Sequence, residues 1–383
     1  MKSFPVEQFL NLAKQEGRSE AFIQACLKYV EKLEKRGYPI IFSLPHLAIM
    51  MGVQSNYIKA LIGENEEYNF KFEANEGYKT KKYNHFFIKK KKRGYREIMA
   101  PHKDLKYIQK WLLSNIISKF PLRDSCKGFR TGISIKENAL THVNARVILK
   151  VDLLKFYDTI TEKRVYGVFQ KMGYSKNLSY SLAKLCTTQH HERYWENFSY
   201  NEKRILSKLF DERPSILPQG APTSPYIANI VATNMDSRFE KLSVKMNFSY
   251  SRYADDLTFS IHEKGKLPSL RLIEKIISEE NFYINKEKIT YMYKGSKQYV
   301  TGLTVSNGVH TSKKYRKEIA RHIYFCRKYG VKQHLSRNRD KFPSYNSIKF
   351  HDWLYGHICF IHSIDDKASE KILCDFNKIN WFL

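Results

Sequence analysis

The 383-residue chain carries 66 Lys and Arg against 38 Asp and Glu, a formal net charge of +28 at neutral pH. With 42% hydrophobic and 14% aromatic residues it is globular and long enough for two or three subdomains, which excludes bulk disorder. No apolar run approaches the ~18 residues of a membrane span, and the N-terminus lacks the apolar core of a secretion signal. So large a positive excess points to a polyanion, nucleic acid first and an anionic membrane surface second. Six scattered cysteines without a C-x-x-C pair read as reduced thiols, hence a cytoplasmic location, and with no apolar span no membrane partner is expected.

Residues 1–75 read as a helical N-terminal region. Within it SLPHLAIMMGVQSNYIKALI (43–62) has the shape of a helix-turn-helix, with Gly52 at the turn. Two packed helices capping the following domain give the same pattern. The segment 81–117 predicts a hairpin about a basic Arg93-Gly94 turn, stopped by Pro101. A helix follows, its buried stripe formed by Leu105, Ile108, Leu112 and Ile116. Eight Lys and Arg and no acid between 81 and 96 suit either a lysine-protected sheet edge or a phosphate-contacting surface.

Ser134 to Glu137 has the form of a capping box, and Asn138 and His142 follow at i,i+4. Val147–Asp152 predicts a buried strand ending in a carboxylate, and 161–215 a helical, polar stretch. LPQGAPTSP (217–225) is a loop before a helix whose Ile227, Val231, Met235 and Phe239 step by four. Alternation from 248 to 261 predicts a hairpin with Asp255 and Asp256 at its tip. The segment 311–350 has helical periodicity, with twelve Lys and Arg against two acids.

Strand-end carboxylates are costly unless they meet water or a cation. Asp152, brought beside Asp255 and Asp256, would be repelled by them, and a divalent metal removes that repulsion. Mg²⁺ is the hard, oxygen-ligated ion suited to such a site and to substrate phosphates, and two such ions clamp an in-line phosphoryl displacement.

Three motifs in this order resemble the reverse transcriptases: Val151-Asp-Leu-Leu-Lys-Phe-Tyr157 their first metal motif, Leu217-Pro-Gln-Gly-Ala-Pro-Thr-Ser-Pro225 their nucleotide-pocket loop, and Tyr253-Ala-Asp-Asp256 their catalytic hairpin. Asn138-Ala-Leu-Thr-His142 and Val300-Thr-Gly302 resemble the N-A-x-x-H and V-T-G signatures of bacterial retron enzymes. Departures are Asp158-Thr159 where these enzymes often carry Pro-Ser, Lys155 where an acid is common, and an insertion around 187–215.

The resemblance implies an α+β right-hand polymerase: a helical extension over 1–75, fingers and palm over 76–305, and a basic helical thumb over 306–383. It implies two Mg²⁺ ions held by Asp152, Asp255, Asp256 and the carbonyl of Leu153. Tyr157 falls where the family places an aromatic under the incoming sugar, leaving no room for a 2′-hydroxyl. Gln219 and Gly220 border the same pocket. Arg96 suits the triphosphate, with Lys90 and Lys91 as companions, since guanidinium forks match phosphate oxygens. Lys288, in an N-x-x-K pattern with Asn285, suits departing pyrophosphate as proton donor or binder. Lys313, Lys314, Arg316 and Lys317 are expected to contact RNA phosphates.

The activity so implied is RNA-directed DNA synthesis from deoxynucleoside triphosphates. A structured noncoding RNA is template and primer, and the single-stranded DNA product stays joined to it. A role in antiphage defence, an effector protein from the same operon and a host ribonuclease H are the further partners implied. Rival readings are a non-retron bacterial reverse transcriptase, of intron or defence type, and an RNA-binding scaffold with an idle site. His351, His357, Cys359 and His362 have no common zinc spacing and read as part of a buried helix.

Overall fold

A computed structural model describes residues 4–63, 82–90, 95–191, 199–207 and 214–381. Lys91, the Arg93-Gly94 turn and part of the 187–215 insertion lie outside the described residues. The chain divides into two compact units that interleave along the sequence: 1–129, 153–238 and 270–285 form the first, and 130–152, 239–269 and 286–383 the second.

In the first unit, four helices (Val6–Gln15, Glu20–Lys35, Leu44–Met51, Ser55–Ile62) precede the hairpin. Ser43 caps the third through the backbone N–H of His46, and Gly52 ends it at φ 68°, a left-handed turn that costs glycine nothing. The last two helices bury Leu47, Ala48, Met51, Ile58, Leu61 and Ile62, and Ser55–Ile62 packs on the helix Lys176–Cys186. The pair is thus anchored by its apolar faces within this unit, as packed capping helices are. β1 (Tyr83–Lys89) and β2 (Tyr95–Pro101) pair antiparallel in register, Phe87 opposite Glu97 and Ile88 opposite Arg96. The helix Lys103–Asn115 buries Leu105, Ile108 and Leu112 as its periodicity predicts.

The stretch 161–215 is less polar than expected. Lys176–Cys186 buries Leu178, Leu182, Ala183, Leu185 and Cys186, and its buried serines are satisfied, Ser179 accepting from Gln170 Nε2 and Ser181 donating back to the carbonyl of Asn177. The helix expected after the pocket loop is two, Ser224–Val231 and Thr233–Met246, meeting at Ala232.

In the second unit, β3 (Val147–Asp152), β4 (Ser249–Tyr253), β5 (Asp256–Ile261) and β6 (Thr290–Tyr293) form one antiparallel sheet in the order β4-β5-β3-β6. A short ladder of β7 (Tyr299–Val300) and β8 (Leu303–Thr304) follows. Ile148, Met292, Val300, Leu303, Val305 and Ile364 share one core cluster. The C-terminal helices Lys313–Tyr329, Val331–Arg337, Ser347–Ile364 and Asp366–Asn377 close a second around Phe342, Phe350 and Leu354. Among the described residues no helix is long and apolar enough to cross a membrane.

Candidate active site

Strand register brings the expected carboxylates together. β3 pairs with β5 so that Val151 faces Leu257 and Asp152 faces Asp256, while Asp256 also pairs with Tyr253 across the hairpin. Asp255 occupies the tight turn between them, after Ala254 at φ 54°. Asp152 is only 8% exposed.

Two lysines answer this charge. Lys288 Nζ donates to both carboxylate oxygens of Asp152 at 2.8 Å, and Lys150 Nζ donates to Oδ2 of Asp256 at 3.0 Å. Nothing local marks Lys150 for this role within the apolar run 147–152, although strand alternation places 150 and 152 on one face of β3. Positive charge is still short at Asp255: burial, then the charges of Asp152 and Asp256, push its carboxyl up to about 6 against the pull of Lys288. Among the described residues no three His, Cys, Asp or Glu side chains form a ready metal cluster; Asp152 and Asp256 are each turned to an ammonium instead. Hard oxygens with unmet negative charge are a donor set that fits a divalent cation.

Leu153, Tyr157, Gln219, Gly220, Arg96 and Lys90 belong to the first unit. Leu153 makes an isolated antiparallel bridge with Ile284, and the N–H of Leu154 donates to the carbonyl of Tyr283 at 2.7 Å. Tyr157 is half-buried, its ring meeting Phe156 edge-on at 5.5 Å, while Phe156 is buried against Phe282. The pocket loop is fastened to β2: the N–H of Met99 donates to the carbonyl of Gln219 at 2.7 Å. Gly220 has φ +120°, and a Cβ there would lie 2.9 Å from the carbonyl oxygen of Met99, so only glycine fits. Arg96 is exposed three residues earlier on the same strand, and Lys90 is half-buried just past β1.

Asn138 and His142 are a buried hydrogen-bond network. His142 Nδ1 bonds Ser260 Oγ at 2.7 Å and Nε2 bonds Ser251 Oγ at 2.7 Å, while Ser251 Oγ donates to Asn138 Oδ1 at 2.6 Å. His142 is wholly buried. The short helix Ile135–Leu140, started by its capping box, is thereby tied to β4 and β5 on either side of the catalytic turn.

On the helix Lys313–Tyr329, Lys313, Lys314 and Lys317 are exposed. Arg316 differs from them: it is half-buried and pairs with Asp365 at 3.3 Å. His351, His357 and His362 have separate neighbours, Asp352, Tyr315 and Ser369 respectively.

Comparison with known proteins decides the family. Residues 88–335 match the model of the reverse transcriptase (RNA-dependent DNA polymerase) family. The chain is 36% identical over 225 residues to the retron Mx162 reverse transcriptase of Myxococcus xanthus, covering 55% of this chain and 44% of that one. It is 36% identical to the retron Mx65 enzyme of the same organism, covering 60% and 53%. It is 30% identical to the retron Ec86 reverse transcriptase of Escherichia coli, covering 74% and 76%. The chain belongs to the reverse transcriptase family, in its retron branch. The match spans about half the length of the two Myxococcus relatives. Reverse transcriptases have the right-hand polymerase fold and use divalent metal ions, and the carboxylates of β3 and the β4–β5 turn are a donor set that fits one.

Proposed function

We propose that this reverse transcriptase is an RNA-directed DNA polymerase that copies part of a structured noncoding RNA into single-stranded DNA joined to that RNA. The observation carrying this reading is the register of Asp152 against Asp256 with the strained Ala254–Asp255 turn beside it, inside a family match that runs across all three motifs. Residues 1–75 serve as a helical extension, 76–305 as fingers and palm, and 306–383 as thumb.

Asp152, Asp255, Asp256 and the carbonyl of Leu153 would hold two Mg²⁺ ions, which supply charge neutralisation for the attacking hydroxyl and the departing pyrophosphate. The chain's own residues do the rest. Arg96 grips the triphosphate with its planar fork. Gln219 and Gly220, seated on β2, let the backbone approach the nucleotide. Tyr157 closes the space a 2′-hydroxyl needs, and its half-burial beside Phe156 suits a gate better than a core ring. Lys288 releases Asp152 when phosphate arrives and holds or protonates pyrophosphate at Nζ.

The partners of this reading are the template–primer RNA, deoxynucleoside triphosphates, an effector protein of the same operon in antiphage defence, and a host ribonuclease H, all in the cytoplasm. Primer extension with Mg²⁺ and sequencing of copurified nucleic acid test it. One defined short DNA on one RNA is expected. Long or heterogeneous product would favour a non-retron enzyme, and absence of synthesis would leave an RNA-binding scaffold.

A further inference from the structure

Strand β2 buries a carboxylate. Glu97 is 2% exposed, and it accepts from His85 Nδ1 at 2.5 Å, His190 Nδ1 at 2.6 Å and the backbone N–H of His191 at 3.1 Å. The other ring nitrogen of His190, Nε2, makes no hydrogen bond but lies at ion-pair distance, 3.5 Å, from Oδ1 of Asp158, which is also 2% exposed. A neutral imidazole cannot serve two carboxylates, because one nitrogen would then turn a lone pair to an anion. Burial pushes the His190 ring down, but Asp158 and Glu97 outweigh it and raise it to about 9.

The ring sits in a cluster of mixed charge that also holds His85 on Glu97 and Arg96 near Lys90. Lys155 Nζ lies 3.9 Å from Asp158 and 3.6 Å from Glu202, and Lys90 adds its charge to the same group. Glu97, Asp158 and Glu202 thus face His190, Lys155 and Lys90, with the His191 ring against His85 at 5.8 Å. Two departures from the family pattern become one device. Lys155 and Asp158 replace an acid and a proline in the first motif, and the 187–215 insertion brings His190 and Glu202 to meet them.

We propose that His190 is a positioning residue for the incoming nucleotide: clamped between Glu97 and Asp158, it fastens the strand that carries Arg96 to the turn that carries Tyr157. The inference rests on the polymerase reading. Glu97 directly follows Arg96 and Asp158 directly follows Tyr157, and Gln219 joins the same strand through Met99. Releasing the clamp frees the triphosphate and sugar contacts together, so the loss falls on nucleotide affinity rather than on RNA.

Single-nucleotide incorporation by the full chain on RNA template–primer, between about pH 7 and pH 10, reads nucleotide KM and kcat separately. His190→Gln should raise KM about tenfold, with kcat within about threefold and RNA affinity unchanged. Wild-type kcat/KM should fall as pH rises through about 9, and His190→Gln should lack that fall. Asp158→Asn removes one side of the clamp and should move the fall to lower pH, which decides the matter if His190→Gln does not fold. Unchanged KM and an unchanged alkaline limb overturn the proposal, and so does a raised KM with the limb still in place. Histidine-selective ¹³C NMR should find His190 protonated past about pH 8; titration near the ordinary ~6.5 overturns the proposal even without turnover. Absence of incorporation by the wild-type chain overturns the polymerase reading instead.

Discussion

Lys288 spans both carboxylate oxygens of Asp152 at 2.8 Å while its own side chain stays about half exposed, 54%. An ammonium so placed is a counter-charge that can leave, since a half-exposed lysine loses little by turning to phosphate or water. Lys288→Met should therefore tighten binding of Mn²⁺ by the nucleotide-free chain, read by paramagnetic relaxation, while polymerisation falls about tenfold or more. Weaker Mn²⁺ binding would show that the lysine supports the metal site rather than competing for it.

Asp255 gives the complementary expectation. Its carboxyl is raised by burial and by Asp152, so its charged form works against folding. Asp255→Asn keeps the shape and removes the charge. Synthesis should disappear with RNA binding intact, and the metal-free variant should melt at or above the wild-type temperature. Residual synthesis at the wild-type rate, or a clear fall in melting temperature, would contradict this account of the turn.

The carboxylates were legible because the motifs carrying them, Val151–Tyr157 and Tyr253–Asp256, are each short and local and resemble those of one family, while bringing Asp152 opposite Asp256 took the register of β3 on β5. Asn138 and His142 were legible as a spaced pair, but their partners Ser251 and Ser260 lie on strands more than a hundred residues away, so the network they form needed the fold. His190 was hidden for the same reason. Its carboxylates sit 93 residues back on β2 and in a turn after β3, and nothing in the local pattern of TTQHHERYW marks one histidine of the pair as the clamp.

Gly220 tests the fit of the pocket loop on β2. Gly220→Ala meets both the positive φ and the Met99 carbonyl, which cannot swing away without breaking its strand. The cost should be about 1–3 kcal/mol of stability, with a raised nucleotide KM as the loop lifts. Denaturant unfolding and single-nucleotide kinetics check both; a neutral substitution would mean the loop is free of the strand.

Tyr157→Ala should raise ribonucleotide incorporation relative to deoxynucleotide. The ring is held from one side by Phe156, which Phe282 backs, so its removal opens space without unseating the core. An unchanged ratio in single-nucleotide assays would make Tyr157 a packing residue.

On the helix Lys313–Tyr329, the exposed lysines and the paired Arg316 are expected to play different parts. Lys313, Lys314 and Lys317 are exposed, and each phosphate they neutralise should release counterions and steepen the salt dependence of binding. Arg316 is committed to Asp365, the residue whose carboxylate also caps the helix Asp366–Asn377 through the N–H of Ala368 and meets His310. Changing the three lysines to Gln should flatten the plot of log affinity against log salt by roughly 2 to 3, at 0.7–0.9 per lost phosphate contact, with little change in melting temperature. Arg316→Gln should do the reverse, lowering thermal stability while leaving the slope close to wild type, because it leaves Asp365 half-buried with one partner fewer. Filter binding across a salt series and thermal melts on the same preparations decide between them. An unchanged slope in the triple variant, or a slope change in Arg316→Gln equal to one lost contact, would place the RNA-facing charges elsewhere on the helix.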